Sequence, residues 1–241
     1  MYLENIVFDA VDPRLVGQYW EAVLGTEPLT DEPGGYETRL ELPDGPVLDL
    51  CFQQVAGPVT GPERLHLGLT GDAGLGSPVL RAEGAAHEMA DPAGNTFTVE
   101  AAPGPLRLST LDLEVADPGA AVEFWAWISG WEPVPGRQAL RHPSGLGPVL
   151  AMVPQTGPGT VGKNRIHLDV RLEPADDLTA ILAALVERGG QELHPGWGEL
   201  PWRTCADPSG NEFCLLPARS SPDVAPADLA EVLAPLTGGP A

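Results

Sequence analysis

Long apolar runs, basic residues and cysteines are all scarce in this chain, and each scarcity removes a class of protein. No apolar stretch reaches the ~18 residues that a membrane-spanning helix needs, so no transmembrane segment and no membrane partner are expected. The opening Met1-Tyr2-Leu3-Glu4-Asn5 leads into a strand without a basic region, so no secretory signal is expected either. Lysine and arginine number 13 against 34 aspartates and glutamates, a formal charge of −21. Such a surface repels a phosphate backbone, which argues against nucleic acid as a partner. The three cysteines, Cys51, Cys205 and Cys214, are too few and scattered for a disulfide framework and suit a reducing cytoplasm. A phosphate-cradling glycine loop, a Cys-x-x-Cys pair and a Ser-His-Asp order are also missing.

Glycine and proline, by contrast, are plentiful, at 29 and 27 of 241 residues, and fall mostly in turn-like dipeptides that favour many short strands. One phrase organises the rest: Cys205-Ala206-Asp207-Pro208-Ser209-Gly210-Asn211, followed by the alternating run Glu212 to Leu216. It reads as strand, tight turn, strand, with Pro208 fixing one corner and Gly210 free to take positive φ. The same phrase occurs earlier as Asp91-Pro92-Ala93-Gly94-Asn95 before Thr96 to Ala101. Asp12-Pro13, Trp20, Gly25 and Glu27-Pro28 also recur as Asp117-Pro118, Trp125, Gly130 and Glu132-Pro133, all at an offset of 105. The chain is therefore a duplication.

Within each half the periodicity predicts a strand, a helix opened by Asp-Pro and stopped by Gly, and further strands. The helix faces are Leu15, Val16, Tyr19, Trp20, Val23 and Leu24 in the first half and Val122, Phe124, Trp125 and Ile128 in the second. A second unit in each half starts at Arg64-Leu65-His66 and Arg165-Ile166-His167. In the later unit a helix is predicted with Leu178, Ile181, Leu182, Leu185 and Val186 on its face. The corresponding Gly71–Ala86 stretch leaves room for an abbreviated helix at most. The reading is of two domains, 1–102 and 107–217, and a Pro/Ala-rich tail, 218–241, with a short helix around Asp228–Leu233. Each domain holds two β-α-β-β-β-like units, and small sheets of that kind must pair to bury a face.

This arrangement resembles the vicinal oxygen chelate superfamily, which includes glyoxalase I, bleomycin-resistance proteins and extradiol dioxygenases, and most closely its glyoxalase-like subgroup. The strand-Asp-Pro-helix openings at 5–25 and 110–130, the His66 and His167 strands and the two Asp-Pro-x-Gly-Asn turns carry the resemblance. It implies an α+β fold of tandem glyoxalase-like domains, in which paired βαβββ modules form curled mixed sheets around a cleft. It further implies a small-molecule ligand or substrate, held by a monomer or homodimer. The implied activity is that of a lyase, isomerase or dioxygenase-type enzyme in the second-domain cleft, or alternatively of a non-catalytic binder of the bleomycin-resistance type. A divalent metal (zinc, iron, manganese or nickel) often occupies such a cleft, on ligands from the opening strand, the histidine strand and the last strand. Those positions here are Asn5, His66 and Thr98 in the first half, and Thr110, His167 and Cys214 in the second.

Strand alternation places Thr110, Asp112 and Glu114 together, as it does Arg165, His167 and Asp169, on faces pointing away from the helices. His167 with Asp112, Glu114 and Asp169 is the candidate acid/base set, since carboxylates near like charges acquire raised pKa values. Cys214 with His167 suits zinc, helped by Asp169 or Asp112, and a shift in register brings Glu100 toward His66. Thr110, Cys214, Arg165, His66 and the loop tryptophans Trp197 and Trp202 are the candidate ligand contacts. Each has a plain structural alternative. The histidines and Cys214 can be buried packing groups, the tryptophans loop packing, and the carboxylates a solvated face.

Overall fold

A computed structural model describes residues 1–57, 61–72, 79–157, 163–196, 198 and 200–219. The predicted tail helix and Trp197 lie outside these residues. Four modules follow one another. The first is β1 (Tyr2–Ala10), α1 (Pro13–Leu24), β2 (Glu27–Glu32), β3 (Gly35–Glu41) and β4 (Val47–Gln54). The second is β5 (Leu65–Gly71), β6 (Val79–Glu83), β7 (Ala86–Ala90) and β8 (Thr96–Ala101), with no helix among its described residues. The third repeats the first as β9 (Arg107–Val115), α2 (Pro118–Ser129), β10 (Glu132–Pro133), β11 (Ala139–Arg141) and β12 (Val149–Pro154). The fourth is β13 (Ile166–Arg171), α3 (Leu178–Glu187), β14 (Gln191–Glu192), β15 (Arg203–Ala206) and β16 (Glu212–Leu216).

Local chemistry explains the helices. The Asp12 carboxylate accepts the Leu15 N–H, and that of Asp117 accepts those of Gly119 and Ala120, so each caps donors that the first turn leaves open. Both helices begin with proline and stop at a glycine, Gly25 and Gly130. Trp20 and Trp125 are each only 1% exposed. Leu15 and Val186, expected on buried faces, instead face outward at 53% and 63% exposure. Each lies roughly 120–140° around its helix from the centre of the buried residues, at a residue step of about 100°.

The pairing of modules is the main difference from the expectation that each half curls around its own cleft. The strands form two open eight-stranded mixed sheets. One runs β14-β15-β16-β13-β1-β4-β3-β2 and joins the first module to the last; the other runs β10-β11-β12-β9-β5-β8-β7-β6 and joins the two middle modules. Antiparallel pairs β1–β13 and β5–β9 form the seams. Apolar faces of both sheets and the helices share one core, in which Phe8, Phe52, Trp20 and Phe97 make ring contacts in one half and Trp125, Phe124 and Phe213 in the other.

The repeated turn and the repeated tryptophan prove to be two ends of one contact. Trp20 Nε1 donates to Asp91 Oδ2 at 3.1 Å, and Trp125 Nε1 donates to Asp207 Oδ2 at 3.1 Å. Each aspartate also accepts backbone N–H groups of its own turn, which Gly94 (φ 80°) and Gly210 (φ 82°) close. The helix of one module is thus fastened to the closing turn of the next, while the sheets bind modules from different halves.

Candidate functional site

The first-and-last-module sheet turns one face to the core and gathers polar residues on the other. Register sets them in rows. Val7 lies opposite His167 and beside Cys51, while Asn5 lies opposite Asp169 and beside Asp49, with Cys214 flanking Asp169 on the far side. Burial is nearly complete: Asn5 is 8% exposed, His167 4%, Asp169 6% and Cys214 6%.

Three of these side chains converge. His167 Nε2 stands 3.4 Å from Asp169 Oδ1 and 3.7 Å from Cys214 Sγ. Among the described residues, this is the group of three metal-ligating side chains whose ligand atoms all lie within 4.8 Å of one another. Zinc bound tetrahedrally at ordinary Zn–N, Zn–O and Zn–S lengths would set N···O and N···S edges of about 3.4 and 3.6 Å. Asp169 Oδ1 and His167 Nδ1 are buried without a hydrogen-bond partner, so the Asp169 atom facing the ring is free to ligate. A nitrogen, a carboxylate oxygen and a thiolate sulfur form a zinc-type donor set, and these residues fit such an ion.

Charged groups surround these three side chains. The face carries Glu4, Asp9, Glu37, Asp49, Asp169 and Glu212 against Arg39, Lys163, Arg171 and Arg219. Arg39 holds Asp49 through two bonds of 2.7 Å, Glu4 is shared by Arg171 and Arg219, and Lys163 lies 3.0 Å from Asp9 and 4.0 Å from Glu212. Burial raises the Glu37 pKa toward its neutral form, against hydrogen bonds from Cys51 and Thr30. Six carboxylates thus share this face with four basic side chains and His167. Burial acts to lower the pKa of His167, but Asp169 and Glu212 reverse that and leave it raised. Burial also holds the Cys214 thiol well above its usual range.

The remaining predicted residues are distributed differently. Thr110, Asp112 and Glu114 lie on the other sheet, where Asp112 is the cross-strand partner of His66 and Thr110 that of Gly68. The acidic cluster expected beside His167 is therefore split, with only Asp169 adjoining the histidine, because strand alternation fixes a face but not a neighbouring strand. Burial raises the Asp112 pKa, partly offset by Thr110 and His66. His66 Nδ1 lies 3.5 Å from Thr96 Oγ1, and Glu100 is exposed two steps further along β8. Arg165 donates to the Ala93 carbonyl in the second module's turn, and Trp202 is half-buried. Two surface hollows, of about 280 and 400 Å³, lie against α3 and against Met1–Leu3, and neither touches His167.

Lys163 was not singled out from the sequence, and Glu212 is placed there by alternation only, on the face it shares with Cys214. A signal existed, since Lys163 is the only lysine among thirteen basic residues. Its compact ammonium on a flexible stem reaches toward both Asp9 and Glu212. Glu212 Oε2 also accepts the Asn164 N–H at 2.8 Å.

Two modules per half, three of the four built as βαβββ, and a polar sheet face built on a histidine strand and a closing strand define a protein of the glyoxalase-like class. The glyoxalase-like domain family matches residues 5–100 and again 110–216, and the chain belongs to it. Among solved structures it is similar to glyoxalase I from Zea mays, at 17% identity and TM-score 0.58, covering 90% of this chain and 92% of that one. A point variant of the maize protein gives TM-score 0.60 at 17% identity, covering 90% and 93%. A Bacillus subtilis protein provisionally described as a dioxygenase gives TM-score 0.54 at 14% identity, covering 92% and 86%. These likenesses show the fold. No curated protein sequence matches the chain. No helix among the described residues is long and apolar enough to cross a membrane.

Proposed function

We propose that this chain is a metal-binding, glyoxalase-like small-molecule protein whose working site is the polar face shared by its first and last modules. The observation that carries the reading is the convergence of His167, Asp169 and Cys214, at separations that match the edges of a zinc tetrahedron. His167 Nε2, Asp169 Oδ1 and Cys214 Sγ hold the ion. When bound, it supplies Lewis-acid polarisation of a substrate oxygen. Lys163 and Arg39 pair with neighbouring carboxylates and hold them in place, and Glu212 stands beside His167 as a second carboxylate. Lyase or isomerase chemistry on a small oxygen-bearing molecule is the activity proposed, with a homodimer or monomer as its vehicle and the cytoplasm as its place.

The burial of His167 favours one other reading, a protein that sequesters a small molecule without converting it. Metal analysis of untagged protein, purified without chelator, separates the two. About one equivalent of zinc or a similar ion in the wild type, lost in His167→Ala and reduced in Cys214→Ser, supports the metal site. Wild-type protein that carries no metal and takes up none on addition of zinc overturns it, and thermal-shift screening of small molecules then tests sequestration.

A further inference from the structure

The seam between β1 and β13 contains a bulge. Tyr2 and Leu3 pair with Arg171 and Val170, but after the irregularity Asn5 pairs with Asp169 and Ile6 with Leu168. Glu4 is the extra residue. Without the bulge the uninterrupted register would set Glu4 opposite Asp169, carboxylate against carboxylate, and would turn Asn5 toward the core with Leu168. The bulge instead delivers an amide to Asp169 and releases Glu4 to Arg171 and Arg219.

The amide does one specific thing. Asn5 Nδ2 donates to Asp169 Oδ2 at 3.1 Å, with both side chains buried. A carboxylate only accepts, so Asn5 must present its NH₂ group there. One oxygen of Asp169 is thereby tied down while the other, Oδ1, is left without a hydrogen-bond partner and faces His167 Nε2. A metal-bound histidine is usually oriented through its second ring nitrogen, but His167 Nδ1 has no such partner. In this chain the orienting contact falls on the carboxylate ligand.

We propose that Asn5 is a positioning residue for the metal centre, fixing Asp169 so that Oδ1 ligates. The inference rests on the metal reading above and adds that the centre is completed from the opposite end of the chain. It assigns the first module's opening strand an outer role, where the family resemblance implies a direct ligand.

Zinc affinity by chelator competition and cobalt(II) absorption, measured on the full chain, test it. Asn5→Leu is expected to bind zinc about 10- to 100-fold more weakly, the usual effect of losing such an outer contact. Its cobalt complex should show altered d–d bands while keeping the thiolate charge-transfer band of Cys214. Asn5→Gln, which keeps the NH₂ group, should recover part of the affinity. Should the leucine variant not fold, Asn5→Thr, whose hydroxyl stops one bond short, makes the same comparison. A wild type that binds zinc, with an Asn5→Leu affinity within about twofold and an unchanged cobalt spectrum, overturns the positioning role and leaves the metal site standing. A wild type that binds neither ion overturns both.

Discussion

Replacing Trp125 by phenylalanine should loosen the joint between α2 and the closing turn of the fourth module by a calculable amount. The indole is 1% exposed and its N–H reaches a carboxylate that is itself buried. A hydrogen bond to a charged acceptor contributes about 1.5–3 kcal/mol. Exchanging indole for phenyl also withdraws roughly 30–40 Å² of buried apolar area, about 1 kcal/mol. Asp207 keeps the Ser209 and Asn211 N–H groups and the Asn211 amide, so it is weakened rather than abandoned. The sum is about 3 kcal/mol, or roughly 6–12 °C in melting temperature for a chain of this size. Trp20→Phe removes the same bond of 3.1 Å to Asp91 from an equally buried indole, so the two losses should agree within about 1 kcal/mol. Urea unfolding of the two variants is the assay. A loss below about 1 kcal/mol in either variant would refute the claim that these bonds fasten helix to turn.

Two further outcomes follow from burial. Glu37 has a raised pKa in the folded state, chiefly from burial, so the native protein binds its proton more tightly than the unfolded chain does. Stability from that proton is complete below the ordinary glutamate value of 4.5 and is lost as pH rises through the higher folded value. Glu37→Gln should therefore gain on the wild type in urea melts as pH rises above the ordinary value of 4.5, and parallel curves would sink the idea. All three cysteines are buried, and burial pushes the Cys205 thiol up to about 12. Iodoacetamide at pH 8 should leave all three unmodified in the folded protein and modify all three in urea, as read by mass spectrometry. Rapid labelling of native Cys205 would contradict the packing.

The modules, the helix caps and the face on which each strand residue lies were legible in the sequence, because each follows from local spacing. Asp12-Pro13 and Asp117-Pro118 open their helices as read, and Leu111, Leu113 and Val115 face the core while Asp112 and Glu114 do not. Which strand lies beside which was not legible. Alternation along β13 shows that His167 and Asp169 share a face, yet nothing in that period says whether β9 or β1 is the neighbour. Asp112 was thus grouped with the wrong histidine. The bulge at Glu4 is equally silent in the sequence, since an extra residue changes the register without changing the composition. β2 carries no apolar alternation that would mark it in the sequence, because its Glu27–Glu32 run is an edge strand with a largely exposed, polar face. Trp20, Trp125 and the two turns were all visible, and their recurrence in both halves was the available sign that they meet.

The crosswise sharing of sheets sets a timetable for the chain as it leaves the ribosome. The two middle modules adjoin in sequence and can close their sheet as soon as β12 is out. The first module cannot: β1 needs β13, whose residues follow more than a hundred positions later. Until β13 emerges, the side of β1 that will pair with it is an open edge carrying Val7, Glu4 and Asp9, and charged residues on such an edge disfavour pairing with another chain. When the last module docks, the two ends of the fold meet, with the Met1 amine 2.9 Å from Glu173 and Asp176 and Arg219 on Glu4. A gene rearranged to start at the third module and to join the old ends by a short linker would make the late partners early ones, while leaving every strand with the neighbours it has now.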